Sequence, residues 1–134
     1  MNLDEMKSFL AEQFPQGERF GELIELQQGQ ATMKLVQNDD PSRITPAHQR
    51  STIMALADVA VYAALLSEIG PVSLAVTSNL NINFMKEPSK SQNILAQAKM
   101  LKVGKRLAVG EVLIFTTGDT DPIAHVTMTY AIPS

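Results

Sequence analysis

The chain has 134 residues, 45% of them apolar and 19% charged, with a formal net charge of -3. That length builds one substantial core in a single domain spanning residues 1–134, and the composition excludes a disordered chain. With no basic run, no cysteine and only His48 and His125 as histidines, the sequence argues against nucleic-acid binding, a disulfide framework, a thiolate nucleophile and a multi-histidine metal centre.

The opening segment MNLDEMKSFL lacks a basic stretch followed by a long apolar one, so no signal peptide is expected and a cytoplasmic location is the default. Leu3, Met6, Leu10 and Phe14 recur at helical spacing among acidic and basic neighbours. They predict an amphipathic helix over residues 2–14, stopped by Pro15-Gln16-Gly17 and lying outside the sheet as a lid or edge cover. Phe20–Gln28 and Gln30–Gln37 read as two strands around Gly29. Asn38–Arg50 is the longest polar, proline-bearing stretch, the kind of loop on which function sits.

That loop feeds Ser51–Ser67, STIMALADVAVYAALLS, around which the rest of the chain is arranged. From Ile53 to Leu66 every residue is apolar except Asp58, and four alanines favour a helix, with Ser51 or Thr52 as its cap. A helix apolar on all sides must be wrapped by other structure, and it is too short and too interrupted by Asp58 to span a bilayer. A carboxylate in such a wrapping is unfavourable unless it is paired, hydrogen-bonded or used, which makes Asp58 the candidate catalytic group.

After Gly70-Pro71, residues Val72–Phe84 alternate. Val72, Leu74, Val76, Leu80, Ile82 and Phe84 fall on one face, Ser73, Thr77, Asn79, Asn81 and Asn83 on the other. Pro88-Ser89-Lys90 is expected to turn this strand back into the next, Asn93–Val103. Leu107–Thr117 is apolar on both faces apart from Glu111, as a central or interface strand would be. Ile123–Ile132 closes the sheet, with Ala124, Val126, Met128, Tyr130 and Ile132 toward the core and His125 on the exposed face. Helix, two strands, buried helix and four strands joined by hairpin-type turns make an α+β protein, a six-stranded antiparallel sheet curled around one helix, which is the hotdog architecture. Such a sheet leaves an edge strand and a helix flank to cover. A dimer that continues the sheet does so, with tetramers as a further step.

From Arg43 onward the sequence resembles the hotdog acyl-CoA thioesterases, in the branch related to the phenylacetate-degradation thioesterases. The resemblance rests on LADVA at 56–60, AVTSNLNINFMKEP at 75–88 and KVGKRLAVGEV at 102–112, in the family's order. It implies hydrolysis of an acyl-CoA or related thioester to acid and thiol, with no metal or redox cofactor, at a site shared across a dimer. It further implies that Asp58 serves as general base or nucleophile. Many relatives carry His-Gly-Gly nine residues before the acid; here Gln49, Arg50 and Ser51 stand in those places, and no glycine offers an unobstructed oxyanion amide. Arg50 can crowd that position or turn its guanidinium toward the carbonyl or the CoA phosphates. By the same resemblance Thr77 or Asn79 holds the attacking water, and Lys102, Lys105 and Arg106 meet the CoA phosphates. His48, beside the helix start, can orient the thioester or protonate the leaving thiolate. Met54, Tyr62, Leu65 and Met85 are available for an apolar acyl pocket. The alternatives are a noncatalytic hotdog protein that binds acyl thioesters or assembles, and a hotdog dehydratase, for which only His48 offers a base.

Overall fold

The computed structural model describes residues 1–13, 21–37, 40–71 and 75–133. The stop at Pro15-Gln16-Gly17, Phe14, Phe20, the start of the loop at Asn38, and Val72, Ser73 and Leu74 of the expected strand lie outside the described residues. In chain order the elements are α1 (Leu3–Gln13), β1 (Glu22–Gln27), β2 (Gln30–Leu35), a 3-10 turn (Pro41–Arg43), α2 (Pro46–Ile69), β3 (Val76–Phe84), β4 (Ile94–Val103), β5 (Leu107–Thr116) and β6 (Ala124–Ala131). The strands form one antiparallel sheet in the order β1-β2-β4-β5-β6-β3, laid around α2 in the hotdog arrangement.

The alternation that predicts the strands is what buries them. Ile94, Ala96 and Ala98 of β4, Val112 and Ile114 of β5, and Ala124, Val126, Met128 and Tyr130 of β6 face α2 and are buried. From α2 itself, Ile53, Leu56, Leu65 and Leu66 are fully buried, each such side chain contributing about 1.5–3 kcal/mol through removal from water. Helix and sheet approach each other closely at Gly110, where an added Cβ would stand 3.0 Å from both Val61 Cγ1 and Met100 Sδ. The chain turns between β1 and β2 at Gly29 (φ 74°), whose buried N–H donates to Ser67 Oγ at 2.8 Å, tying that turn to the end of α2. Helix α1 packs on β1 and α2, and its Met6 and Leu10 join the common core, so it is an edge cover seated on the helix side of the sheet.

Three expectations need correction. The central helix begins at Pro46, not Ser51: Thr45 is the cap, its Oγ1 accepting from His48 N–H at 3.2 Å, and Pro46 supplies the pre-set φ of a first helical residue. Thr52 instead donates backward to His48 O at 3.0 Å. At 24 residues, with a mean hydropathy of 1.7 over an 18-residue stretch, α2 is long and apolar enough to cross a membrane; here most of that stretch is buried inside the fold. Second, β3 and β4 are not a hairpin. β3 crosses to the far edge beside β6 while β4 pairs with β2 and β5, because the segment between Phe84 and Ile94 is long enough to pass two strands about 4.8 Å apart each. Third, β3 does not alternate throughout. A bulge between Thr77 and Asn79 shifts its phase, so Thr77 pairs with the inward-facing Tyr130 while Val76 pairs with Ala131 and is 59% exposed.

Candidate active site

Arg50, Met54 and Asp58 are four residues apart and therefore form one stripe along α2. Met54 and Asp58 are only half-buried where most of the middle of the helix is fully covered, and the stripe looks toward β3 at the sheet edge, where Leu80, Ile82 and Phe84 are half-buried. At one end the Arg50 guanidinium carbon sits 5.9 Å from the centroid of the Phe84 ring, with Glu87 4.0 Å away. At the other end lies Asp58, half-buried among alanines and valines.

Two hydroxyls from neighbouring strands converge on the Asp58 carboxylate. Thr77 Oγ1 donates to Oδ1 at 2.9 Å, which the β3 bulge makes possible. The Tyr130 hydroxyl reaches the same Oδ1 and also lies 2.8 Å from the main-chain oxygen of Asp58. Burial, and next the Asp58 charge, push the Tyr130 phenol far above its usual range, so it remains a protonated donor. Its ring lies against Tyr62, centroids 6.1 Å apart and planes 25° from parallel. Among the described residues no donor reaches Oδ2.

Of the candidate residues, the structure thus brings Asp58 and Thr77 together. Gln49 lies elsewhere: it is buried, and its Nε2 donates to Ser89 O and, at 3.2 Å, to Gln37 Oε1, tying the start of α2 to the β3–β4 crossover. Arg50 and Ser51 lie inside α2, where the helix ladder claims the amides from Gln49 onward; Gln49 N–H already bonds Thr45 O at 3.0 Å. His48 is exposed on the first turn of α2, and Asn79 is exposed on the outer face opposite Thr129. Lys102, Lys105 and Arg106 are exposed at the β4–β5 turn. That turn adjoins the row Val103, Ala108, Tyr130 and Thr77 across four strands, and Arg106 O accepts from Ile132 N–H at 2.7 Å. The turn is therefore at the Asp58 end of the sheet. His125 is half-buried, its Nε2 3.0 Å from Glu111 Oε2. Leu65 is sealed in the core, Tyr62 is buried, Met54 is partly covered and Met85 is 52% exposed.

Sequence reasoning placed Tyr130 on the core face and gave it no role. The available signal was its phenol: a buried tyrosine hydroxyl needs a polar partner, and Asp58 is the lone acid of the helix it faces. Among the described residues no three His, Cys, Asp or Glu side chains gather as metal ligands would.

The arrangement can hold a carboxylate in a defined orientation beside an apolar strip open at the sheet edge. A family model described as the thioesterase superfamily matches residues 51–123. Among curated proteins nothing matches the chain. Among solved structures, a Silicibacter protein to which thioesterase activity is provisionally assigned is 38% identical, with a TM-score of 0.86 over 100% of this chain and 93% of its own. Zebra fish thioesterase superfamily member 2 (17% identical, TM-score 0.79, 99% of each chain) shares the fold. So does the Escherichia coli PaaI protein from the phenylacetic acid degradation operon (17% identical, TM-score 0.77, 95% of each chain). With a family match over more than half its length and a 38% identical relative aligned along all of it, this chain belongs to the thioesterase superfamily.

Proposed function

We propose that the protein is a cytoplasmic acyl-CoA thioesterase, needing no metal or redox cofactor, with Asp58 as general base or nucleophile at a site completed by a second copy of the chain. The observation that carries this reading is the Asp58 carboxylate, held by two hydroxyls on the open stripe of an apolar helix. Acting as base, Asp58 takes a proton from water while the water oxygen bonds to the thioester carbonyl carbon. The C–S bond then breaks, and the departing thiolate recovers the proton. Met54, Leu80, Ile82 and Phe84 offer the acyl chain an apolar strip beside it.

Two features support a shared site. Arg50, where relatives place the oxyanion amide, is eight residues from Asp58, about 12 Å along a helix, so one chain's two groups do not reach one carbonyl carbon. β3 is a nine-residue edge strand without a charged side chain, an edge that a second β3 would cover by continuing the sheet. Further pairing of dimers into tetramers is compatible with this arrangement. Lys102, Lys105 and Arg106, at the Asp58 end, are the cations for the CoA phosphates.

A binding-only protein is the second reading, favoured by Arg50 and Ser51 standing within the helix where an open amide would serve hydrolysis. A panel of acyl-CoA thioesters with free-thiol detection separates the two. Turnover that falls on the order of 100-fold in Asp58→Asn supports the enzyme, whereas saturable binding without turnover supports the alternative.

A further inference from the structure

Resting on Asp58 as the base, we infer that Tyr130 and Thr77 act together as positioning residues: their hydroxyls lock Oδ1 of Asp58 and leave Oδ2 as the oxygen that takes the proton from the attacking water. The two side chains are cross-strand partners, Thr77 on β3 opposite Tyr130 on β6, and both turn inward to one carboxylate oxygen. Tyr130 carries a single hydroxyl proton between Oδ1 and the Asp58 main-chain oxygen, so it ties the side chain to its own backbone and restricts its rotamer. Tyr62, one helical turn beyond Asp58, stacks on the Tyr130 ring and fixes the phenol in turn.

The consequence is an asymmetric carboxylate. Two O–H donors draw electron density toward Oδ1, while no described residue donates to Oδ2. The proton of the attacking water goes to Oδ2, its oxygen bonds the acyl carbon, the C–S bond breaks, and the thiolate leaves with the proton from Oδ2. Acid and thiol form, and the carboxylate is restored with its anchor on Oδ1 undisturbed. A purely architectural tyrosine would need only the main-chain oxygen, and threonine at this exposed edge could hydrogen-bond water; neither needs to converge on the lone acid of α2.

The test is a set of mutant cycles. Tyr130→Phe and Thr77→Val are each made in the wild type and in Asp58→Asn, with kcat, KM and melting temperature measured for the best thioester of the panel. Expected is a loss in kcat on the order of 10-fold or more for each single variant, from a misplaced carboxylate, with KM little changed. Neither substitution lowers the residual rate of Asp58→Asn further. Unchanged kcat in both single variants, or equal losses in the two backgrounds, overturns the inference. If Tyr130→Phe does not fold, the Thr77→Val cycle decides alone. Wild-type inactivity toward every thioester sinks the underlying enzyme reading, and full activity in Asp58→Asn sinks Asp58 as its base; either takes the clamp with it. Loss in Asp58→Asn with no effect of either hydroxyl sinks the clamp alone.

Discussion

Gln49 occupies a place where relatives carry a catalytic-loop residue, and its surroundings make a measurable claim. The side chain is 4% exposed, and its amide nitrogen donates to Ser89 O and to Gln37 Oε1. The Gln37 amide nitrogen donates to the same Ser89 oxygen at 2.6 Å and to Gln92 O at 2.7 Å, so one amide pair staples the start of α2 to the β3–β4 crossover. Gln49→Met keeps length and bulk while deleting two neutral hydrogen bonds, a loss of about 1–3 kcal/mol. Ser89 O keeps its bond from Gln37, which places the expected value in the lower half of that range. For a chain of this size, 1 kcal/mol displaces the melting temperature by roughly 4 °C, so a fall of about 4–8 °C is expected. Thermal unfolding followed by circular dichroism, with thioester turnover measured well below the transition, gives both numbers. Turnover within about threefold of wild type is the expected companion result for a residue with no part in the chemistry. A melting temperature unmoved while kcat collapses would refute this reasoning and return Gln49 to the substrate.

Three other outcomes follow from named contacts. Ser67→Ala leaves the buried Gly29 N–H without its acceptor, which costs about 1–3 kcal/mol and is read as a lower melting temperature with faster hydrogen exchange at Gly29. Lys86, 2.6 Å from Asp119 and 3.5 Å from Asp121, holds the Asp119 carboxyl below its ordinary value, chiefly through their direct hydrogen bond. A depressed folded-state value stabilises above the unfolded one and is lost as pH falls through the folded one. The difference in melting temperature between wild type and Lys86→Met is therefore steady near neutrality and shrinks below about pH 4. If Lys102, Lys105 and Arg106 meet CoA phosphates, raising salt increases KM for a CoA thioester more than for its pantetheine analogue, and equal responses count against that contact.

The elements themselves were legible because burial follows period. Ile94–Val103 and Ala124–Ala131 match their expected strands within a residue or two, and the lone Asp58 in an apolar helix is the acid on which Thr77 and Tyr130 converge. What escaped was non-local or lay at a boundary. His48, Gln49 and Arg50 are polar, so the first turns of α2 looked like loop, although Thr45-Pro46 is a good cap and first residue. Strand order is not legible here because Pro88-Ser89-Lys90 has turn chemistry whether the chain reverses or crosses over. Tyr130 was placed on its correct face, but its partner is 72 residues away, a relation no local pattern carries.

The irregularity at Ser78 gives the two ends of β3 separate duties. Beyond it, Leu80, Ile82 and Phe84 are half-buried against the core; before it, the direction of Thr77 follows the extra residue, and Ser78 Oγ anchors that residue on Thr129 O at 3.2 Å. Changes of apolar shape along the strand can therefore accumulate without rotating the hydroxyl away from its acid. In the proposed enzyme, the edge of the sheet can be remodelled for new acyl groups while the acid and its hydroxyl stay where they are.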